Sequence, residues 1–335
     1  MKERQLWIDL LKGFGIILVT FAHLNPNYLL EKHIYSFHMC IFFFVSGYLF
    51  KENQNKKSYI IKKIKNLLIP FLIWNLICSV IELLITHNIT LFFHKLFIIN
   101  GDLCWNAPIW FLLILFITEI IFFFLQNIKI IKNKYIYHAL IFILSLLIFI
   151  LIGPYKMSLK ANLIPLGLLF FNLGYIYKLI NKSIINKNNK ITVFLFCTIL
   201  LIINFIFGVI LNDRVSYTGA YFGNILFFII SSISGVLGYF ILFENFASNL
   251  KNANFLTNIG FLSMPIMIFQ YSLFHVYNFV SFKLFNIDIW HYRSTLKASV
   301  LCMITILLIF LVRYFIKKIV NNKKGKEILK YMKIV

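Results

Sequence analysis

Charged residues are scarce in this sequence, and acidic residues are the scarcest of them. Asp, Glu, Lys and Arg make up 13% of the 335 residues, and only 11 residues are acidic. Hydrophobic residues make up 61% of the chain, and the mean hydropathy is +0.85. A soluble domain of this length could not cover so much apolar surface. The composition therefore excludes an ordinary soluble protein and indicates insertion into a membrane.

Cysteine is also sparse, and its spacing is not that of a metal site. Four of the five cysteines lie inside apolar runs, so we interpret all five as packing residues and expect no metal. The 33 basic residues give a formal net charge of +22, which in a soluble protein would suggest a nucleic-acid partner. Here the basic residues separate apolar runs, a pattern typical of orientation in a lipid bilayer, so we expect no nucleic acid.

The apolar runs predict an all-α polytopic membrane protein, a bundle of about ten transmembrane helices. A helix needs roughly 20 apolar residues to cross a bilayer. Lys and Arg in alternate loops favour one side by about three to one, which predicts that both termini are cytoplasmic. No linker or repeat divides the chain, so we interpret residues 1–335 as one domain in a bacterial cytoplasmic membrane. The predicted spans are 6–25, 34–50, 67–87, 109–126, 136–152, 161–179, 191–211, 222–243, 255–276 and 295–315.

The first predicted span contains two groups that are costly in hydrocarbon, Lys12 and His23. They are eleven residues apart, so on a helix they fall within about 20° of each other and roughly 16 Å apart along the axis. Asp9 lies one turn before Lys12 and can pair with it. One face of this helix would then present a cation toward the cytoplasm and an imidazole toward the exterior. Alternatively, Lys12 extends to the inner interface and His23 caps the outer end.

Two further polar residues lie within predicted spans. His38 lies a few residues into the second span, on the outer side that is also expected for His23. It could orient His23, bind an acceptor or donate to a backbone carbonyl, and we favour a functional role. Glu119 lies in the middle of the fourth span, where a carboxylate is a functional candidate. Pairing of Glu119 with Lys12 or with a histidine would instead give it a structural role.

Three segments together resemble one family of membrane enzymes. They are D-L-L-K-G-F-G-I-I-L-V-T-F-A-H (9–23), I-Y-S-F-H-M-C-I-F-F-F-V-S-G-Y-L-F (34–50) and L-I-P-F-L-I-W (68–74). They are similar to the membrane acyltransferase-3 family, especially its fucose 4-O-acetylase-like branch. The hallmark of that family is a basic residue, ten residues and then a histidine. The resemblance implies that His23 is catalytic, with Lys12 as its basic partner.

The same resemblance implies a reaction, which the side-chain chemistry fits. An acyl group, usually acetyl from acetyl-CoA, passes to a hydroxyl of an envelope glycan or its lipid-linked precursor. A sugar hydroxyl is a poor nucleophile, and an imidazole is well matched to removing its proton near neutral pH. We hypothesise that the thioester reaches along a groove on the first span to an acceptor at His23. Acetyl-CoA is polyanionic, so the residues expected to bind it are the lysines Lys12, Lys62, Lys63 and Lys65, together with Asp9 as the ion-pair partner of Lys12.

Two positions depart from the family pattern. Cys40 stands where a proline commonly follows S-F-H-M, and Gln270 stands where a histidine is expected in the ninth span. His275 lies five residues further on. Either the role of that histidine is dispensable, or the acceptor differs from that of other members.

Two other functions are compatible with polar residues inside spans. A transporter or flippase for a lipid-linked glycan would use intramembrane Asp, Lys, His and Glu equally well. Many transporters have two similar halves, and this sequence shows none. A structural scaffold is the other alternative, and it predicts that Lys12 and His23 tolerate alanine.

Overall fold

The structure is a computed structural model that describes residues 5–52, 54–97, 107–128, 131–180, 189–247, 254–320 and 323–334. These residues form helices and no strands, apart from one isolated β-bridge between Ser216 and Tyr221. The helices are α1 (Leu6–Ala22), α2 (Tyr28–Tyr35), α3 (His38–Tyr48), α4 (Lys56–Lys63), α5 (Ile69–Thr86), α6 (Ile89–Phe97), α7 (Trp110–Asn127), α8 (Lys134–Ile152), α9 (Ile164–Ile180), α10 (Lys190–Phe205), α11 (Ile225–Phe246), α12 (Asn254–Phe261), α13 (Ser263–Phe285), α14 (Thr295–Ile319) and α15 (Lys323–Tyr331).

The lengths of these helices agree with an all-helical polytopic membrane protein. Within the described ranges, seven helical segments are long and apolar enough to cross a membrane, and α12 with α13 makes an eighth if the pair is one span. The central helices α1 and α3 have 17 and 11 residues, are shorter than each of these segments and are not counted among them. The number of ten spans and the cytoplasmic side of the termini stay predictions.

The prediction of a single helix over 34–50 is wrong, because the helix is interrupted at Ser36 and Phe37, between α2 and α3. The Ser36 hydroxyl donates to the carbonyl oxygen of His33 at 2.7 Å and accepts from Asn204 Nδ2 at 2.9 Å. These bonds satisfy polar groups that the break leaves inside the bundle. At about 1.5 Å per residue, α3 is only about half as long as a bilayer core is thick. His38, the first residue of α3, is buried inside the protein.

The helix predicted over 255–276 is also bent, because α12 and α13 meet at an angle of 78°. The backbone of α12 lies directly against that of α1. A Cβ atom on Gly260 would overlap the carbonyl oxygen of Asp9, and one on Gly13 would overlap the carbonyl oxygen of Leu256. Only glycines allow this approach, so α12 packs closely against α1. The chain then changes direction where α13 begins.

Helix α1 lies at the centre of the bundle, in contact with α3, α11, α12, α13 and α14. Leu10, Leu11 and Ile16 of α1 are almost completely buried. The outer helices α8 and α14 instead expose large apolar side chains such as Leu144 and Met303. A surface with so many exposed apolar side chains is unfavourable in water, whereas lipid can cover it. The polar groups of α1 are therefore enclosed by protein.

Candidate active site

A cavity of about 240 Å³ lies beside α1. On this helix its wall consists of Lys12, Ile16 and Val19, which share one face because they are four and three residues apart. His23 is four residues after Val19 on the same face and caps the C-terminal end of α1. The cavity therefore follows the face on which the spacing of Lys12 and His23 places both residues. Its lining on α1 stops one helical turn before His23.

An ion pair forms another part of the cavity wall. Lys63 Nζ pairs with Glu119 Oε2, and the Tyr59 hydroxyl donates to the same oxygen at 3.4 Å. The Glu119 side chain is 5% exposed and that of Lys63 is 23% exposed. Lys63 and Tyr59 are thus the partners that the structure gives to Glu119, where the sequence suggested Lys12 or a histidine. The pair joins the end of α4 to the middle of α7.

Two further spaces adjoin this cavity at the end of the bundle where α4 lies, which we call the lysine end. One space of about 220 Å³ shares Ser46, Lys63 and Glu119 with the cavity. The other, of about 750 Å³, shares Asn66 with the cavity and Lys62 with the second space. We call the larger space the basic cleft; it is lined by Asn55, Lys57, Ser58, Ile61, Lys62, Lys65, Asn66, Glu327, Lys330, Tyr331 and Lys333.

The predicted donor-binding residues fall into two groups in this arrangement. Lys12 and Lys63 line the cavity beside α1, and Lys62 and Lys65 line the basic cleft. Asp9 is buried in α1, where Gly260 packs against its backbone, and it is not among the residues that line the three spaces. The four lysines therefore line adjoining spaces, whereas Asp9 lines none of the three.

The imidazole of His23 lies between two tyrosine rings. The centroids of the Tyr35 and Tyr271 rings are 6.0 and 5.8 Å from that of His23, and both rings meet it edge to face. The Nδ1 atom of His23 is buried and has no hydrogen-bond partner among the residues that the structure describes. Buried polar atoms are normally paired, so this nitrogen is suited to a substrate group.

His38 also packs against Tyr35, with ring centroids 4.9 Å apart. Its Nδ1 atom is 2.8 Å from the carbonyl oxygen of Ile34. A carbonyl oxygen only accepts, so Nδ1 must carry the proton and donate it, which leaves the lone pair on Nε2. This is the backbone contact that the sequence left open for His38. Tyr35 contacts both histidines, and we call this end of the bundle the histidine end.

A charged cluster that the sequence did not reveal stands beside Tyr35. Arg214 Nε donates to Glu31 Oε1 at 2.6 Å, and Arg293 Nη1 donates to Glu31 Oε2 at 2.5 Å. The Glu31 side chain is completely buried, and the Arg214 guanidinium lies 4.6 Å from the centre of the Tyr35 ring. The Glu31 cluster (Glu31, Arg214 and Arg293) ties two connecting segments to α2. In the sequence, only the scarcity of acidic residues distinguishes Glu31 from an ordinary loop charge.

Gln270, the residue at the position expected for histidine, contacts α1. The Thr20 hydroxyl donates to Gln270 Oε1 at 2.6 Å, and Thr20 is three residues before His23. Gln270 Nε2 is buried without a hydrogen-bond partner in the described part of the chain. His275 packs against the ring of Tyr271, with centroids 5.4 Å apart, and Tyr271 contacts His23. Gln270 is thus placed against α1 directly, and His275 is connected to His23 through an aromatic ring.

Metal-ligating side chains are dispersed in this region. Across the described ranges, no group of three or more His, Cys, Asp or Glu side chains could hold a metal ion.

The chain is similar to known proteins in its sequence. Residues 5–314 match the sequence profile of the acyltransferase-3 family, described as an acyltransferase domain. The chain is also similar to the nodulation protein NolL of Sinorhizobium fredii, with 35% identity over 106 residues. That match covers 28% of this chain and 27% of NolL, so it spans little more than a quarter of that relative. No solved structure gives a significant match.

Proposed function

Because the chain belongs to the acyltransferase-3 family over residues 5–314, we propose that it is a membrane O-acyltransferase of the bacterial cytoplasmic membrane. It moves acetyl from cytoplasmic acetyl-CoA to a sugar hydroxyl of an envelope polysaccharide or lipid-linked glycan. The observation that supports this most is the cavity along α1, which has lysines at one end and His23 one turn beyond the other.

His23 acts as the general base in this reaction. The sugar hydroxyl oxygen attacks the carbonyl carbon of the thioester while the imidazole takes the hydroxyl proton. The tetrahedral intermediate then collapses, the C–S bond breaks, and the thiolate of CoA leaves. The departing sulfur takes the proton from the imidazole, so His23 returns to its neutral form. The buried Nδ1 atom without a partner in the described residues supports this role.

The donor would enter from the lysine end. The cavity beside α1 has a volume of about 240 Å³. That volume lies below the ~300–1,000 Å³ typical of sites for whole drug-sized ligands, so it suits a thin arm such as pantetheine. Lys12 and Lys63 line its wall, and Lys62 and Lys65 line the adjoining basic cleft. Ammonium groups attract phosphate, which orients the nucleotide end of CoA away from His23.

The acceptor would approach from the histidine end. Tyr35 and Tyr271 flank the imidazole of His23, and the ring of Trp290 lies 5.5 Å from that of Tyr271. Aromatic side chains offer a flat apolar surface together with polar groups at the edge, which suits the face of a sugar ring. A sugar packed there would place a hydroxyl beside the imidazole.

Substitution of His23 tests the proposal in cells. Strains expressing the wild type, His23→Ala or no protein are compared for the O-acetyl content of the surface glycan by NMR. Loss of the base should lower the acetylation rate by about 10²–10⁴-fold. His291→Ala is the matched control, because His291 is exposed and bonds to Asp288 away from the cavity. Wild-type acetylation by His23→Ala would overturn the assignment, and a transporter would change the amount of surface glycan without changing acetyl per sugar.

A further inference from the structure

The C-terminal segment folds back against the start of α5. The Trp74 indole nitrogen donates to the carbonyl oxygen of Met332 at 3.0 Å, and Lys333 Nζ donates to Asn66 Oδ1 at 2.7 Å. The side chain of Ile334 is buried and lines a pocket between α13 and α14. These contacts fix α15 and the residues that follow it at the lysine end.

This folding gives the basic cleft a second wall. Lys57, Lys62 and Lys65 lie on the wall formed by α4 and the π-helical residues Ile64–Leu68 after it, and Lys330 and Lys333 lie on the C-terminal segment. The volume of about 750 Å³ falls in the range of sites for nucleotide-sized ligands. The cavity beside α1 is about a third as large. The cleft is thus the space near the lysines that has room for an adenosine.

The charges that face the cleft are mostly of one sign. Five lysines line it, against one carboxylate, that of Glu327. Among the described residues, Lys57, Lys62 and Lys330 form no ion pair. Folding one lysine-bearing wall against another costs electrostatic repulsion, which a bound polyanion would relieve. The preference of cytoplasmic segments for lysine explains basic residues there, but it does not explain why two such segments dock together.

We propose that the C-terminal segment forms half of the binding site for the nucleotide end of the acyl donor, an adenosine with a 3′-phosphate and a 5′-diphosphate. Lys330 and Lys333 contact phosphate oxygens, and the ring of Tyr331 packs against the adenine. The Asn66 side chain lines both the cleft and the cavity beside α1, so the arm of the donor passes from one to the other there. This inference rests on the proposed function, because it requires a CoA thioester as donor.

Binding of CoA to the purified full-length protein in lipid nanodiscs tests this site. Lys330→Ala should raise the Kd for CoA by about five- to tenfold, the effect of losing one charge-assisted phosphate contact. The double variant Lys330→Ala/Lys333→Ala should raise it further. Lys326→Ala is the matched control, because Lys326 is on the same helix but does not line the cleft.

The results separate this proposal from the one on which it rests. If the wild type binds CoA and Lys330→Ala binds it equally well, the C-terminal site is overturned and the donor assignment stands. If the wild type binds no CoA, the donor assignment fails as well. Lys333 also holds the segment to Asn66, so its variant is compared with the wild type by thermal unfolding. Lys330 has no such bond to described residues, and its substitution leaves the segment docked.

Discussion

The Glu31 cluster makes Glu31→Gln the most informative change at the histidine end. Gln has nearly the shape of Glu but no charge, and one of its two terminal groups donates instead of accepting. In the wild type, both carboxylate oxygens accept from guanidinium groups, at 2.6 Å from Arg214 and 2.5 Å from Arg293. After the change, one arginine would face an NH₂ group, and neither would have a counter-charge on Glu31.

The expected loss of stability follows from burial. Hydrogen bonds to charged groups contribute about 1.5–3 kcal/mol each, and breaking a fully buried ion pair costs about 3–5 kcal/mol. The Glu31 side chain is 0% exposed, but those of Arg214 and Arg293 are 33% and 45% exposed. Water can therefore solvate the arginines and offset part of the loss. We expect the free energy of unfolding to fall by about 2–4 kcal/mol.

Unfolding of the reconstituted protein by SDS or heat measures this loss. Asp213→Asn is the control, since Asp213 is an exposed carboxylate that accepts from the Tyr221 hydroxyl at 2.7 Å in the same connecting segment. An exposed pair contributes about 0–1 kcal/mol. The reasoning is refuted if Glu31→Gln unfolds like Asp213→Asn. Acetyl transfer should also fall, because Arg214 contacts Tyr35 and Tyr35 contacts His23.

Two further substitutions probe the centre of the bundle. Gly260→Ala should lower the free energy of unfolding by about 1–3 kcal/mol, because its methyl group would overlap the backbone of Asp9. The added methyl group of Gly238→Ala meets only the side chains of Leu201 and Leu200, the nearest atom at 3.0 Å, and should cost less; equal losses for the two variants would contradict the close contact. Glu119→Gln should raise KM for acetyl-CoA about fivefold in initial-rate assays, because Lys63 loses the carboxylate that holds its ammonium group at the cavity wall. An unchanged KM would show that the pair has no part in donor binding.

Helical periodicity was sufficient to predict the face shared by Lys12 and His23. Lys12 lies in one regular helix and His23 caps the C-terminal end of that helix, so their relation depends only on the residues between them. The position of most helices also follows from the length of apolar runs. The break at Ser36 did not follow, because Asn204, which donates to the Ser36 hydroxyl there, is 168 positions away in sequence. Single-sequence patterns do not report such partners.

The surroundings of His23 were predicted less completely for the same reason. Arg214 and Arg293 reach Glu31 from two connecting segments that are far apart in sequence. Each arginine alone has the pattern of an ordinary loop charge. Likewise, Lys63 is one of several lysines in its segment, and only the fold shows that it is the one paired with Glu119.

Transfer of labelled acetyl tests the central claim most directly. The protein, reconstituted in lipid, is given ¹³C-acetyl-CoA and glycan from cells that lack it, and NMR follows the label. Our account predicts ¹³C-labelled O-acetyl groups on the sugar, with one free CoA thiol released for each group. It also predicts that His23→Ala forms almost none. An unlabelled glycan with the wild-type protein, or labelling by His23→Ala at the wild-type rate, would contradict it.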